Sequence, residues 1–159
     1  MNDDYIIFTV AGTAYALASR DVTHIEMLDQ VTRVPNAPCF VDGVVFSRGE
    51  VVPAVSLRAR FGFERVPYDT RTRLLVVRPG GRLIGLIADA AREFVTIPDA
   101  AIRPPHEGLS GLSGRYLRGI AAIGDRMIVV LDLDAILAAD DGAVASSSEL
   151  ASQQSQESR

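Results

Sequence analysis

The chain has 159 residues, a formal net charge of −4 and 48% hydrophobic residues, which suits one domain of ordinary size or two small lobes that share a core. All 16 basic residues are arginine, and residues 1–139 hold 15 of them against 16 acidic residues, so this part lacks the basic excess of a sequence-independent nucleic-acid-binding surface. A single cysteine, Cys39, excludes an intrachain disulfide, no apolar run reaches the roughly 18 residues of a membrane span, and the first residues lack the basic start of a signal peptide, so we expect a cytoplasmic protein.

Four β-hairpins are predicted along the chain, each formed by two aliphatic, β-branched runs around a turn that contains glycine. The predicted strand pairs are 5–10 with 14–18, 44–46 with 51–55, 73–77 with 83–88, and 116–123 with 127–131. In the second hairpin, Arg48 and Gly49 supply a tight reversal, which places an arginine at an exposed tip. Pro53 cannot donate to a ladder, so its strand should lie at an edge or bulge there.

Short helices are predicted between the hairpins. Ser19 is a favourable N-cap for a helix through Ile25, and Asp89 holds the same position before a helix through Phe94. An amphipathic segment follows the second hairpin, and residues 132–139 should form a helix with one apolar stripe. Two segments marked by proline predict extended connections, at 31–38 and 97–105.

Parts of the chain repeat, which indicates two related halves. An offset of 76 residues aligns, without a gap, Gly43 with Gly119, Val55 with Leu131, Leu57 with Leu133 and Phe61 with Leu137. A weaker register, at an offset of 69, aligns Leu17 with Leu86, Val22 with Ala91, Ile25 with Phe94 and Pro35 with Pro104. The second half is therefore longer, with the insertion between Pro104 and Gly119.

Many short strands in two similar halves predict an all-β architecture of two small barrels, with a core that runs between the halves as well as inside them. From residue 140 the composition changes to alanine, serine, glutamine and glutamate. Such a segment buries too little apolar surface to offset a chain entropy of about 1 to 2 kcal/mol per residue. We therefore expect a disordered tail at 140–159.

Five motifs stand in a characteristic order along the chain. They are F-x-x-x-G-x-x-Y-x-L at 8–17, V-x-x-I at 22–25, V-x-x-V-P-N-A-P at 31–38, G-V-x-x-x-R-G-x-V-x-P-x-V-x-L-R at 43–58 and G-D-R-M-I-V-V-L-D-L-D at 124–134. In this order and spacing they resemble the CheW family of chemotaxis coupling proteins. The resemblance covers residues 5 to about 139.

The resemblance implies a fold of two five-stranded, SH3-like barrels in one domain over 1–139, with lobes of roughly 14–72 and 5–13 plus 73–139. It implies a cytoplasmic, non-catalytic adaptor beside membrane receptor arrays, without cofactor, metal, nucleic-acid partner or membrane insertion. Members of the family couple the cytoplasmic tips of chemoreceptors, which bind in the groove between the lobes, to the regulatory domain of a CheA-type histidine kinase. The resemblance also implies other CheW-like proteins as partners, in rings.

The resemblance also assigns candidate site residues. The receptor-binding candidates are Arg48, Gly49, Phe46 and Ser47. The kinase-binding candidates are His24, Ile25, Val31, Asp42 and Val51, and the first four are expected on one surface of the first lobe. Three departures from the family pattern lie near these surfaces: His24 stands where an acid is usual, Phe46-Ser47 replaces Asn-Leu, and Ser56 replaces Asp.

Alternative functions stay open beside the adaptor. A divergent scaffold would bind receptor but not kinase, and an SH3-like module would bind peptides outside chemotaxis. For an enzyme or metal site the chain offers His24 with the distant His106, a glycine and serine loop at 108–114 without lysine, and the pair Asp132 and Asp134. Helix capping and solvent exposure explain that acidic pair better than catalysis does.

Overall fold

The computed structural model describes residues 2–104 and 116–138. Its elements are β1 (Asn2–Val10), β2 (Thr13–Ala18), β3 (Val22–Met27), β4 (Val41–Ser47), β5 (Glu50–Ser56), α1 (Leu57–Arg60), β6 (Arg73–Val77), β7 (Ile84–Ala88), β8 (Ala90–Pro98), β9 (Ile102–Arg103), β10 (Leu117–Ile123), β11 (Arg126–Leu131) and α2 (Leu133–Ala138). His106, the predicted loop at 108–114 and the predicted tail at 140–159 lie outside the described residues.

The strands form two sheets, which confirms the all-β prediction. One sheet has six strands in the order β8-β1-β2-β11-β10-β9, and the other has five in the order β3-β6-β7-β5-β4. The four predicted hairpins are present as antiparallel pairs. Pro53 lies in β5 just before pairing with β7 begins at Ala54, so β4 is its only neighbouring strand at that position. The missing N–H of proline is accommodated there, although β5 as a whole is an internal strand.

Each sheet combines strands from both sequence repeats. β1 and β2, from the first repeat, pair with β8 and β11 of the second. β6 and β7, from the second repeat, pair with β3 and β5 of the first. The repeats thus exchange their first hairpins. The predicted lobe bounds, 14–72 and 5–13 plus 73–139, are therefore wrong, because β2 lies in the six-stranded sheet and β6 and β7 lie in the five-stranded one.

The offset of 76 residues holds at the level of backbone contacts. Gly43 packs against the carbonyl of Thr32, and Gly119 packs against the carbonyl of Arg103, so closely that a Cβ atom at either glycine would clash. The amide of residue 56 donates to the carbonyl of residue 40, and that of residue 132 donates to the carbonyl of residue 116. Both glycines are thus required by the close approach of a second backbone segment.

The two short helices also correspond. Ser56 Oγ accepts a hydrogen bond from the amide of Ala59 at the start of α1, at 3.2 Å. Asp132 Oδ1 accepts one from the amide of Ala135 at the start of α2, also at 3.2 Å. The predicted cap at Asp132 is confirmed, and Asp134 is exposed as expected.

Three clusters of buried apolar side chains hold the fold together. Each sheet encloses one of them, and the third lies between the two sheets. β1 and β6 belong to two cores each, because alternate side chains point to opposite faces of a strand. Tyr5 and Ile7 pack inside the six-stranded sheet, and Leu74 and Val76 pack inside the five-stranded one. The intervening side chains pack in the core between the sheets: Ile6, Phe8, Val10, Leu75 and Val77. The predicted core between and inside the halves is confirmed.

Two predicted helices are wrong. Ser19–Asp21 is a single 3-10 turn without a side-chain cap, and the residues after it form β3. The residues after Asp89 form β8. The equivalent residues Ile25 and Phe94 lie opposite Leu75 and Ile6 in the two sheets. The hydrogen-bonding edges of β6 and β1 thus override a local pattern that fits either a helix or a strand.

Asp89 links three elements instead of capping a helix. Its Oδ2 accepts from the amide of Ala11 in the β1–β2 turn at 2.9 Å, and its two oxygens accept from Nε and Nη2 of Arg58 on α1 at 2.7 to 3.1 Å. Burial raises the pKa of the Asp89 carboxyl, but the bonds from Arg58 and Ala11 outweigh burial, so the pKa lies below its ordinary value. The charged form of Asp89 therefore stabilises the fold.

We expect Asp89→Asn to lower the free energy of unfolding by about 1 to 2 kcal/mol near pH 7, because a charged acceptor for Arg58 is lost. Since the folded pKa is depressed, the difference from the native chain is present above the unfolded pKa of about 4 and shrinks as the pH falls through the folded value. Urea unfolding between pH 3 and 7 measures it. Asp125→Asn, at an exposed turn, is the matched control, and an equal loss there would contradict the role of Asp89.

Candidate functional site

The β4–β5 hairpin ends in a two-residue turn that exposes Arg48. Ser47 pairs with Glu50, and between them Arg48 has φ +49° and Gly49 has φ +83°. Positive φ at both central residues is the geometry of a type I′ turn, which matches the twist of the flanking strands. The predicted turn and the exposed arginine are confirmed. The turn thus presents a planar donor fork for a partner's carboxylate or carbonyl.

One face of this hairpin is apolar and exposed. Phe46 lies directly opposite Val51, and 74% and 65% of their surfaces are exposed. Pro53 is two residues further along β5 on the same face and is also exposed. Contiguous exposed apolar surface is typical of a protein contact. We call Phe46, Val51 and Pro53, with Arg48 at the tip, the hairpin face; it joins residues predicted for two different partners.

Ser47 points the other way and is almost fully buried. Its hydroxyl donates to Glu26 Oε2 at 2.7 Å, and His24 Nε2 donates to the same oxygen at 2.9 Å. Glu26 and His24 are on β3 and Ser47 is on β4, the two edge strands of the five-stranded sheet. These bonds therefore hold the two edges of the sheet together. The side chain of Ser47 is not part of an exposed receptor-binding surface.

His24, where the sequence departs from the family pattern, pairs with an acid of its own strand. Glu26 lies two residues further along β3, on the same face. Only 11% of the His24 side chain is exposed. In the part of the chain that the structure describes, His24 Nδ1 is buried without a hydrogen-bond partner. His24 acts within this cluster rather than as an exposed contact.

The same cluster is not arranged for nucleophilic catalysis. In a serine triad, one imidazole nitrogen faces the serine and the other is held by the acid. Here Ser47 Oγ, at 3.3 Å, and Glu26 Oε2, at 2.9 Å, both face Nε2 of His24. The serine is also buried, so no substrate carbonyl reaches its oxygen. The three residues His24, Glu26 and Ser47 therefore have a structural role, and we call them the latch because they join β3 to β4.

The other predicted kinase residues do not form one exposed surface with His24. Ile25 is half-buried and packs on the core between the sheets. Val31 packs on the core inside the five-stranded sheet. Val31 and Asp42 do come together, because both line an open groove of about 820 Å³ formed by residues 31–42 and 65–68.

Asp42 anchors one wall of that groove. Its Oδ1 accepts from Arg65 Nε at 2.8 Å, and its Oδ2 accepts from the hydroxyl of Tyr68. Arg65 also donates to the carbonyl of Cys39. Burial raises the pKa of the Tyr68 hydroxyl, and the bond to Asp42 raises it further. Asp42 thus orders the 65–68 segment, and its carboxylate is largely occupied within the chain.

A second groove, of about 220 Å³, lies where the end of α1 meets the six-stranded sheet, and its lining is almost entirely apolar. Aromatic rings tilted against one another form its floor: the ring centroids of Tyr15 and Phe61 are 5.1 Å apart, and those of Phe61 and Tyr116 are 5.7 Å apart. We call it the aromatic groove; its lining is Tyr15, Phe61, Phe63, Tyr116, Leu117, Ile120, Val129 and Leu131.

Arg60 fixes α1 beside this groove. Its guanidinium lies 4.5 Å from the Phe40 ring centroid and 5.2 Å from that of Tyr116. It also donates to the carbonyl of Ile136 in α2, from Nε at 3.3 Å and Nη2 at 3.2 Å. The cation–π contacts and hydrogen bonds together join both helices to the groove. Because these residues are far apart in sequence, sequence patterns did not identify the aromatic groove.

Within residues 2–104 and 116–138, no group of three or more histidine, cysteine, aspartate or glutamate side chains is placed to hold a metal ion. Among the helices in these residues, none has the length and apolar character needed to cross a bilayer.

We expect Ser47→Ala to lower the free energy of unfolding by about 1 to 2 kcal/mol, because it leaves a partly buried carboxylate with one donor fewer. Amide hydrogen exchange near the tip, at Glu50, should accelerate as the β3–β4 contact weakens. Ser19→Ala, in the 3-10 turn between β2 and β3, is the matched control. Unchanged exchange in Ser47→Ala would show that the latch does not hold the hairpin.

Comparison with known proteins agrees with these features. The family model described as CheW-like domain matches residues 4–141. The chemotaxis protein CheW of Klebsiella aerogenes is 33% identical over 144 residues, 91% of this chain and 87% of that protein. The CheW of Helicobacter pylori is 33% identical over 136 residues, 86% and 82% of the two chains. The crystal structure of the scaffolding protein TtCheW from Thermoanaerobacter tengcongensis aligns with a TM-score of 0.76 at 29% identity, over 84% of this chain and 86% of that one. The chain therefore belongs to the CheW-like domain family.

Proposed function

We propose that this protein is a non-catalytic adaptor in a bacterial chemotaxis array, where it couples the cytoplasmic tips of chemoreceptors to a CheA-type histidine kinase. The observation that carries the proposal is the family match, which runs from β1 to α2 and so includes both sheets. Relatives of similar length are named as chemotaxis protein CheW, and a solved relative is named as a scaffolding protein.

The chemistry of the exposed surfaces supports an adaptor. The hairpin face offers aromatic and aliphatic side chains beside an arginine, the residue types that are enriched in protein interfaces. The aromatic groove offers a further apolar surface. The latch of His24, Glu26 and Ser47 fixes an edge of the sheet rather than exposing a nucleophile. These surfaces suit binding, not bond cleavage.

The aromatic groove suits a helical receptor tip. An amphipathic helix buries its apolar face in such a groove, with large side chains every three to four residues. The groove lies where α1, which follows the five-stranded sheet, meets the six-stranded sheet. A receptor bound there would contact both sheets at once. Phe63, on the rim, is partly exposed and therefore available for contact.

The hairpin tip is a separate contact. β5 runs from the tip to α1 over seven residues, a span of about 23 Å. Arg48, Gly49 and Phe46 remain proposed receptor contacts, while Ser47 supports them from inside the sheet. Because of this separation, variants at the tip and in the aromatic groove test different surfaces.

For the kinase we propose a surface built from Val31, Asp42 and Val51. Val31 and Asp42 line the groove of 820 Å³, and Val51 is on the exposed hairpin face of the same sheet. His24 and Ile25 support this surface from β3 without being widely exposed. A stable contact of this kind would bury about 1,200 Å² or more, and a transient one less.

Co-sedimentation with receptor-containing membranes, with and without a CheA-type kinase, tests the function. An adaptor is recruited by receptors alone and increases the amount of kinase in the pellet. Recruitment without an effect on kinase supports the divergent scaffold that binds only receptors. Absence from the pellet under both conditions overturns the adaptor and favours a peptide-binding module outside chemotaxis.

Arg48→Glu should weaken receptor recruitment about 5- to 30-fold, the effect of losing an arginine at the centre of an interface. Its melting temperature should change little, because the side chain is exposed and glutamate meets the same positive φ. Arg103→Glu, an exposed arginine in the six-stranded sheet, is the control. Equal losses of recruitment and stability would show that Arg48 is structural.

Val51→Asp and Val31→Asp should both reduce kinase binding. Val51 is 65% exposed, so its variant should retain native stability, whereas Val31→Asp should also lower the melting temperature because Val31 packs on a core. Isothermal titration with the kinase regulatory domain measures the affinity. An unchanged affinity in both variants would exclude this surface.

A further inference from the structure

An arginine-lined groove adjoins the groove of 820 Å³, with which it shares Val66 and Pro67, but contains none of the proposed receptor and kinase contact residues. It has a volume of about 640 Å³ and lies between the β1–β2 turn, the segment 66–73 and the start of β8. Six charged side chains line it: Arg58, Arg71, Arg73, Arg92, Asp69 and Asp89. They give the groove a formal charge of +2, although residues 1–139 carry −1 in total. The groove therefore concentrates positive charge on a nearly neutral domain.

Two of these arginines have guanidinium groups available for a ligand. Arg58 is engaged by Asp89, and Arg73 donates to the carbonyls of Thr70 and Thr72. Arg71 is 79% exposed and forms one ion pair, with the exposed Asp69 at 3.7 Å, which leaves most of its guanidinium in contact with solvent. Arg92 is exposed and forms no hydrogen bond or ion pair with any residue that the structure describes.

The chain itself supplies an acidic segment. Residues 139–159 contain four acidic residues and one arginine, a formal charge of −3. This segment follows α2 directly, and Arg60 of α1 binds the carbonyl of Ile136 in α2. Arg58, two residues before Arg60 on α1, lines the groove. The 21 residues of the acidic segment reach up to about 70 Å when extended, which is far more than the width of such a domain.

We propose that the acidic segment 139–159 binds in the arginine-lined groove of the same molecule, with its carboxylates against Arg71 and Arg92. Guanidinium forks bind carboxylates in bidentate geometry, and a tethered segment has a high effective concentration at its own domain. The contact is electrostatic and solvent-exposed, so salt should weaken it: the Debye length falls from about 10 Å at 0.1 M to about 3 Å at 1 M.

Paramagnetic relaxation in the full chain tests the proposal. A nitroxide is attached through Ser155→Cys in a Cys39→Ser background, and the backbone amides of Gly12, Arg71 and Arg92 are observed. We expect these signals to broaden several-fold more at 20 mM salt than those of Gly80 and Gly81, which lie at the opposite end of the β6–β7 hairpin. The excess broadening should disappear at 1 M salt.

Charge reversal provides the matched comparison. Arg71→Glu with Arg92→Glu should abolish the excess broadening, while Arg78→Glu with Arg82→Glu, the same charge change at the other end of the hairpin, should preserve it. If the double variant Arg71→Glu with Arg92→Glu perturbs the amide spectrum, Arg71→Gln with Arg92→Gln repeats the test. Uniform broadening, or equal loss in both double variants, would overturn the proposal. So would broadening of an unmodified, isotope-labelled chain mixed with the nitroxide-bearing one, because the segment would then bind a second copy.

Discussion

Strands β1 and β6, like β2 and β7 beside them, link two cores because both of their faces are buried. Tyr5 and Ile7 point into one core while Ile6 and Phe8 point into another, and the equivalent residues of β6 do the same. A strand of this kind has no face left for polar residues, so its sequence is a continuous apolar run. Removing either strand would open two cores at once.

The exchange of hairpins between the repeats follows from this constraint. Each doubly buried strand belongs to one repeat but lies in the sheet completed by the other repeat. Neither repeat thus forms its sheet alone, and the relative position of the two sheets is set by shared cores rather than by a flexible linker. Asp89 adds a polar link between the β1–β2 turn and α1. The docking surfaces are accordingly held at fixed separations.

Local patterns predicted the hairpins well, because a turn such as Arg48-Gly49 and its flanking strands are determined by adjacent residues. The offset of 76 also predicted contacts, since Gly43 and Gly119 prove to be equivalent in detail. The pairing of hairpins with one another was predicted incorrectly. That pairing depends on which strand edges meet in space. Two segments expected to be helices form β3 and β8 instead, because they pair with the edges of β6 and β1.

The candidate site was predictable only where it is local. The sequence indicated an exposed Arg48, and the family resemblance added Phe46 and Ser47 as receptor contacts. Alternation along β4 nevertheless buries Ser47 between Phe46 and Arg48, against β3. His24 faces Glu26, a contact that the departure from the family pattern at position 24 did not reveal. The aromatic groove is formed by residues from β2, the end of α1 and β10. These segments are far apart in the sequence, so no short motif could predict that they come together.

The repeat produces two hairpin tips with different turns and different side chains. Gly124 has a positive φ of 58° at the position equivalent to Arg48, but Asp125, at the position equivalent to Gly49, does not have a positive φ. Met127 is exposed like Val51, and Ala122 replaces Phe46. Had both tips kept the same chemistry, one partner would bind each with similar affinity. Divergence of the turns and side chains on a repeated hairpin instead allows one rigid molecule to present two distinct faces, which an adaptor between unlike proteins requires.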